Sequence, residues 1–254
     1  FPKKYCFTTR IIRLMGLSVV ILTNKSPDEI APAIKSVSFA DETVLIRDHP
    51  NFHPLNNDFA AQRNYGLAKA KGDWVLFVDD DEIVSPALAQ EINLAIGNPK
   101  YTAYYLKRLD RYFGQTLHHG ETGKMKIIRL AQKDAGQFVR PVHEVWQVAG
   151  RVGELKNPLF HDRPELVSPF IGRIALYGPI DARALIKEGK PFSISRLLAN
   201  PLVKFIYNYK IKLGFLDGYL GLFQAYLMSV QSLRVRGFQW EEKIYRKDIK
   251  EYKK

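Results

Sequence analysis

Cysteine is almost missing from this chain, with Cys6 the only one in 254 residues. That excludes an internal disulfide and a cysteine-built zinc site, and makes a reducing, cytosolic setting the expectation. Long hydrophobic runs are missing too, since none reaches the roughly 18 residues that span a bilayer. The basic-then-apolar opening FPKKYCFTTRIIRLMGLSVVIL imitates a signal peptide. No small-residue cleavage site follows it, however, and its apolar part reads as a first β-strand. Internal repeats and low-complexity tracts are absent. Acidic charge is scarce: 38 Lys and Arg face 26 Asp and Glu, a formal net charge of +12. Such an excess favours polyanionic partners, whether nucleic acid, an anionic membrane face or phosphorylated substrates.

What is present first is an alternation of strand and helix. LSVVILT, residues 17 to 23, is β-branched without polar alternation, as in a strand buried on both faces. Ser26, Pro27 and Glu29 then supply a cap, a proline for the first helical position and an acid three residues after the cap. ETVLIR is a second strand, DFAAQRNYGLAKAKG a helix capped by Asp58, and DWVLFVD a third strand. Ser85-Pro86 opens a further helix through about Ile96. This order predicts an α/β fold with a mostly parallel sheet and helices on both faces. From about residue 102 to 160, TAYYLKRLDRYFG, KMKIIRL and VHEVWQVAGRVGEL predict strands that extend the sheet in antiparallel fashion. After His161 the chain turns helical, so a catalytic domain over 1–165 and a basic helical region over 166–254 are expected.

The densest acidic block in this basic chain, Asp79-Asp80-Asp81-Glu82, closes the third strand in GDWVLFVDDDEIVSP. A lone acid there would start a turn or cap the next helix. Packed carboxylates instead repel unless protons or a cation compensate. Asp79 and Asp81 can both face one ion, and oxygen ligands suit hard ions such as Mg²⁺ or Mn²⁺, which bridge carboxylates to substrate phosphates. Ligands of open α/β sheets sit outside the carboxyl ends of the strands, which is where these acids lie.

Arg63-Asn64, Ala70-Lys71-Gly72-Asp73-Trp74 and Asp79-Asp80-Asp81-Glu82 follow one another in DFAAQRNYGLAKAKGDWVLFVDDDEIVSPAL. With the later RPVHEVW, NPLFHD and KFIYNYKIKLGFLDGYLGL, they make the chain resemble the family 2 glycosyltransferases of GT-A fold. The resemblance is to the bacterial lipopolysaccharide core or β-1,4-glucosyltransferase branch. It implies an inverting, metal-assisted transfer of a sugar from a nucleotide-sugar donor to a lipid-linked or cell-envelope glycan acceptor. By the same resemblance Thr23, Asn24, Arg63, Asn64 and Asp79 bind the nucleotide-sugar. Asp79, Asp81 and His161 hold Mg²⁺ or Mn²⁺, and Glu144 takes the proton of the acceptor hydroxyl. Arg63 either adds positive charge near the diphosphate or pairs with an acid of the sheet. Glu144 would otherwise be an ordinary strand residue, and His161 a structural histidine. His143 is expected to orient its neighbours. His118 and His119 lie in a loop that either covers the donor or turns in solvent, and Tyr104, Tyr105, Tyr112 and Trp146 either stack on sugars or pack. One departure concerns VLIRDHPNFHPLNNDFAAQRN, which runs almost directly into the Arg-Asn helix and leaves Asp48 unmatched to the nucleotide-binding acid that the resemblance implies.

Residues 201 to 237 mix apolar and aromatic positions with Lys204, Lys210, Lys212, Arg234 and Arg236. They are expected to touch an anionic membrane surface, placing the protein at the cytoplasmic, inner face of the cell membrane, or else to pack on the catalytic domain or a second subunit. A nucleotidyltransferase would carry a glycine-rich loop after the first strand, and TNKSPDE has no glycine. A nucleic-acid binder leaves the acidic block unexplained, because bare carboxylates repel phosphate; no nucleic-acid partner is expected. A catalytically degenerate scaffold of the same fold is the remaining alternative.

Overall fold

The computed structural model describes residues 16–47, 56, 58–112, 114–163 and 167–252. The basic stretch ahead of Gly16, with Cys6, and most of the segment after the second strand, with Asp48, lie outside the described residues.

Strand β1 (Leu17–Leu22) leads into helix α1 (Pro27–Ser36), and β2 (Glu42–Ile46) into α2 (Phe59–Lys69). Then come β3 (Trp74–Asp79), β4 (Glu82–Val84) and α3 (Pro86–Ile96). The start signals read from the sequence hold in detail. Glu29 Oε2 accepts from the N–H and hydroxyl of Ser26, Asp58 accepts from Ala61 N–H, and Ser85 from Leu88 N–H. Each satisfies donors that the first helical turn leaves open.

The rest of the sheet is built from β5 (Ala103–Tyr112), the short β6 (Gln115–Thr116), β7 (Lys126–Gln132) and β10 (Val152–Arg163). A separate ribbon pairs β8 (Gly136–Val139) with β9 (Val145–Val148). The stretch VHEVWQVAGRVGEL divides between β9 and β10 at a turn where Gly150 has φ 91°, a conformation glycine adopts without strain. Strand order is β2-β1-β3-β7-β5-β10-β4, with β6 on β5. β1, β2 and β3 are parallel, as expected. The antiparallel extension runs through β7, which opposes both β3 and β5, and through β4 on β10. β10 itself runs parallel to β5, because the chain reverses an even number of times between them.

Alternation along the buried strands sorts the core into two layers. Val19, Ile21, Leu76 and Val78 pack with Leu88 and Ile92 of α3. Val20, Val75 and Phe77 pack with Ala60 and Leu67 of α2, and with Phe138 and Trp146 of the ribbon. Each such side chain contributes about 1.5–3 kcal/mol through burial. Both faces of the central strands are covered, which is why their sequences show no polar alternation.

Beyond β10 the chain is helical: α4 (Val167–Lys187), α5 (Ile194–Ile206), a π-helical turn (Tyr207–Ile211), a 3-10 turn (Gly214–Asp217) and α6 (Gly218–Tyr252). α6 packs along both α4 and α5. Among the described residues no helix is long and apolar enough to cross a membrane.

Candidate active site

The acids that close β3 point to different partners, and most of the compensating charge comes from far along the chain. Asp79 accepts from Arg63 Nη2 at 2.7 Å through Oδ1 and from Arg129 Nη2 at 2.9 Å through Oδ2. Asp80 accepts from Lys25 Nζ at 2.7 Å and Thr23 Oγ1 at 2.6 Å, which ties the acid block to the loop after β1. Asp81 Oδ2 lies 3.1 Å from His161 Nε2. Glu82, fully buried in β4, accepts the Asp79 backbone N–H at 2.9 Å and lies 3.7 Å from Arg108 Nη1. Burial, reinforced by the charge of Asp79, pushes the Glu82 carboxyl up.

Arg63 reaches the site from α2 with its side chain only 4% exposed. Its guanidinium lies 5.6 Å from the ring centroids of both Phe77 and Phe138, within cation–π range. Nη2 goes to Asp79 while Nε donates to Glu144 Oε1 at 2.7 Å. Burial opposes its charge, but Asp79 and Glu144 override that cost and hold the guanidinium above its ordinary range. Burial likewise opposes ionisation of Asp79, and the charges of Arg129 and Arg63 reverse the balance, keeping its carboxyl far below the usual carboxylate range. Arg63 thus pairs with an acid of the sheet, one of the two roles open to it from sequence, and also connects that acid to the loop before β9. There Arg140 and His143 adopt φ values of 73° and 53°, and His143 Nε2 stands 4.0 Å from Asp181 Oδ2.

His161 links two carboxylates. Nδ1 lies 2.8 Å from Asp110 Oδ1, and Nε2 faces Asp81. Burial lowers the basicity of the ring, but both carboxylates more than offset it, so its pKa rises. Burial also opposes ionisation of Asp110; the His161 hydrogen bond and the Arg108 charge bring its pKa down to about 2. Asp81 is lowered as well, its burial outweighed by His161.

These groups surround a cavity of about 670 Å³ at the carboxyl ends of β1 and β3, lined by Thr23, Asn24, Arg63, Asp79, Asp81, Glu144 and His161 among others. Seven of the eight residues picked from sequence therefore share one space. Asn64 does not line it. Its side chain exchanges hydrogen bonds of 2.9 and 2.8 Å with the backbone C=O and N–H of Phe138, tying α2 to the ribbon. Tyr104 and Trp146 are core residues, and Tyr112 lines the cavity. The His118–His119 loop is tied down by Asp217, which accepts from both backbone N–H groups and lies 2.8 Å from His119 Nδ1.

Sequence reading missed Arg129, Arg108 and Asp110. Their signal was local: an arginine inside the apolar run IIRLA, and two opposite charges two residues apart on one strand, hence on one face. It missed Arg163, Arg173, Tyr177 and Gln224 on the far wall as well; helix packing brings them there, and no local pattern announces it.

Among curated proteins, an uncharacterized glycosyltransferase of Rickettsia typhi is 22% identical over 241 residues, covering 84% of this chain and 82% of the relative. A shorter match, to an uncharacterized glycosyltransferase of Haemophilus influenzae, is 31% identical over 84 residues, 33% of this chain and 32% of that protein. Among solved structures, residues 1–349 of S. aureus TarS superpose with a TM-score of 0.45 at 16% identity, covering 90% of this chain and 92% of that one. Glucosyl-3-phosphoglycerate synthase from Mycobacterium tuberculosis, in complex with Mn²⁺, uridine-diphosphate and phosphoglyceric acid, gives a TM-score of 0.47 at 15% identity, covering 70% and 80%. The profile of Glycosyl transferase family 2 matches residues 13–141, half of the chain. The chain belongs to that family and is a glycosyltransferase.

Proposed function

We propose that this enzyme moves a sugar from a nucleotide-sugar donor to a lipid-linked or cell-envelope glycan acceptor, with inversion and with the help of Mg²⁺ or Mn²⁺. The observation that carries this reading is the convergence of Asp79, Asp81, His161 and Glu144 on one cavity at the rim of the sheet. Asp81 and His161 fit a divalent ion: one oxygen and one nitrogen face each other at 3.1 Å on the cavity wall. No group of three or more His, Cys, Asp or Glu among the described residues is arranged to cage a metal. An ion held by Asp81 and His161 would complete its shell with water and substrate phosphate oxygens. Asp79 stands beside them with its charge already balanced by Arg63 and Arg129. When bound, the ion would neutralise charge growing on the departing nucleoside diphosphate.

The chain's own groups do the rest. Thr23 and Asn24, at the end of β1, receive the nucleoside, with Thr23 steadied by Asp80. Glu144 accepts the proton of the acceptor hydroxyl, and Arg63 sets its position through the 2.7 Å bond to Oε1. Asn64 supports the pocket from behind through Phe138. Residues 1–165 would carry the donor site, and 166–254 would complete the cavity and bring the enzyme to the cytoplasmic face of a membrane. In favour of the latter, α5, α6 and their connection expose Leu198, Leu202, Phe215, Leu216 and Tyr219 near the basic Lys210 and Lys212.

A thermal-shift panel of UDP-, GDP-, CMP- and dTDP-sugars, with and without Mn²⁺, tests the reading. One donor class should stabilise the protein in a Mn²⁺-dependent way, by about 2.7 kcal/mol at a hundredfold excess over its dissociation constant. Asp81→Ala should lose the metal-dependent part. No response to any donor, or an undiminished one in Asp81→Ala, would count against it.

A further inference from the structure

The arginines around the acid block each have a carboxylate: Arg63 and Arg129 share Asp79, and Arg108 lies against Asp110. Two more arginines line the same cavity with no carboxylate partner among the described residues. Arg163 is the last residue of β10, and Arg173 lies in the second turn of α4. Among the described residues neither forms an ion pair with a carboxylate. Arg163 Nε lies 3.3 and 3.2 Å from the ring nitrogens of His161, and its guanidinium carbon lies 5.9 Å from the ring centre of the buried Tyr112. The described acids nearby are committed elsewhere: Asp81 and Asp110 to His161, Asp162 to Arg111, and Asp181 to Arg140. Arg173 is half-buried; that burial and the charge of Arg163 both press its pKa below the ordinary guanidinium range. Asp81 favours the Arg173 charge but does not restore it to its ordinary range, so two like charges on this partly buried wall leave room for an anion to join them.

We propose that Arg163 and Arg173 form an anion subsite of the cavity that takes a phosphoryl group of a substrate, between the end of β10 and α4. The planar forks of two guanidiniums match phosphate oxygens and bind them through charge-assisted hydrogen bonds. The subsite deepens the transferase reading and rests on it for the source of the anion. The phosphoryl group belongs either to the donor diphosphate beside Asp81 or to an anionic substituent of the acceptor.

Calorimetric titration of the full chain with inorganic pyrophosphate at low salt tests the subsite. Arg163→Gln and Arg173→Gln should each weaken binding at least tenfold. Arg183→Gln, which removes the same charge from an exposed site on α4 paired with Glu242, should leave it unchanged. Equal losses in all three variants, unchanged affinity in the first two, or no binding to the wild type would overturn the proposal. Should either cavity variant fold poorly, phenylglyoxal labelling of the wild type reads the same site: pyrophosphate should protect Arg163 and Arg173, and lack of protection overturns the proposal. Tightening by Mg²⁺ assigns the subsite to the donor diphosphate, whereas metal-independent binding of glycerol 3-phosphate assigns it to the acceptor. Intact anion binding without any nucleotide-sugar response would sink the proposed metal-assisted nucleotide-sugar reading and leave the subsite standing.

Discussion

Asp79 and Asp81 stand two residues apart at the end of β3, yet their surroundings give them different tasks. Asp79 neutralises two arginines whose side chains are 4% and 9% exposed. Asp79→Ala would leave Arg63 and Arg129 buried without their shared carboxylate, with only Glu144 to offset them, at a cost of about 3 kcal/mol, to be read as a lower urea midpoint. Asp81 is 35% exposed and lies against His161 on the cavity wall, so Asp81→Ala should cost clearly less stability while losing the Mn²⁺ response. A similar fall in midpoint for both variants would contradict this division. At Glu144, substitution by Gln keeps the shape and removes the base. We expect kcat to fall about 100-fold or more with little change in donor affinity, measured once a donor is identified. The sequence announced the acids and Glu144 because carboxylates after a strand, and the succession of motifs, are local signals. It offered Arg63 as a partner for an acid of the sheet but was silent on Arg129, which lies 50 residues beyond Asp79 with nothing local connecting them.

At the scale of elements, caps and close approaches hold the frame that aims these side chains. Glu91 of α3 accepts from the N–H groups of Lys156 and Asn157 and from the Asn157 side chain, fastening the helix to β10. Burial pushes its pKa up, but those hydrogen bonds prevail and hold it below its ordinary 4.5. A carboxylate with a depressed folded-state pKa contributes stability above the unfolded value and loses it as pH falls through the folded one. The difference in melting temperature between wild type and Glu91→Gln should therefore be full near neutrality and shrink below about pH 4. A difference that stays constant would show that the charge is irrelevant. Gly72 shows the tightness of the turn before β3: a Cβ there would stand 2.6 Å from Gly16 O and 2.8 Å from Ser18 N. These are backbone atoms that cannot swing aside, and Gly72→Ala should cost about 1–3 kcal/mol by denaturant unfolding. Helix starts were readable to the residue because a cap and a proline act over four positions. The direction of β10 was not, because it depends on how many reversals the chain makes before returning to the sheet.

For the molecule as a whole, the net charge of +12 and the bare apolar side chains of the C-terminal helices bear on the same question. Leu198 and Tyr219 are 72% and 92% exposed, more than isolated surface leucines would require, and basic residues lie nearby in sequence. If this region meets an anionic bilayer, the protein should sediment with phosphatidylglycerol vesicles and not with phosphatidylcholine vesicles. Leu198→Asp with Leu202→Asp should weaken that binding about tenfold or more, and salt should weaken it further. Equal recovery with both lipids, or none with either, would point instead to a protein partner.

Sequence by itself determined the alternating α/β order, the starts of the first three helices, the strand-end acids and the family, because each is written in runs of a few residues whose periodicity or capping chemistry acts locally. Only the tertiary structure decided what those acids meet: Arg63 from a helix, Arg129 and Asp110 from later strands, and Arg163 and Arg173 from the far wall. Burial makes each of these meetings strong, and burial is a property of the assembled layers rather than of any stretch of chain.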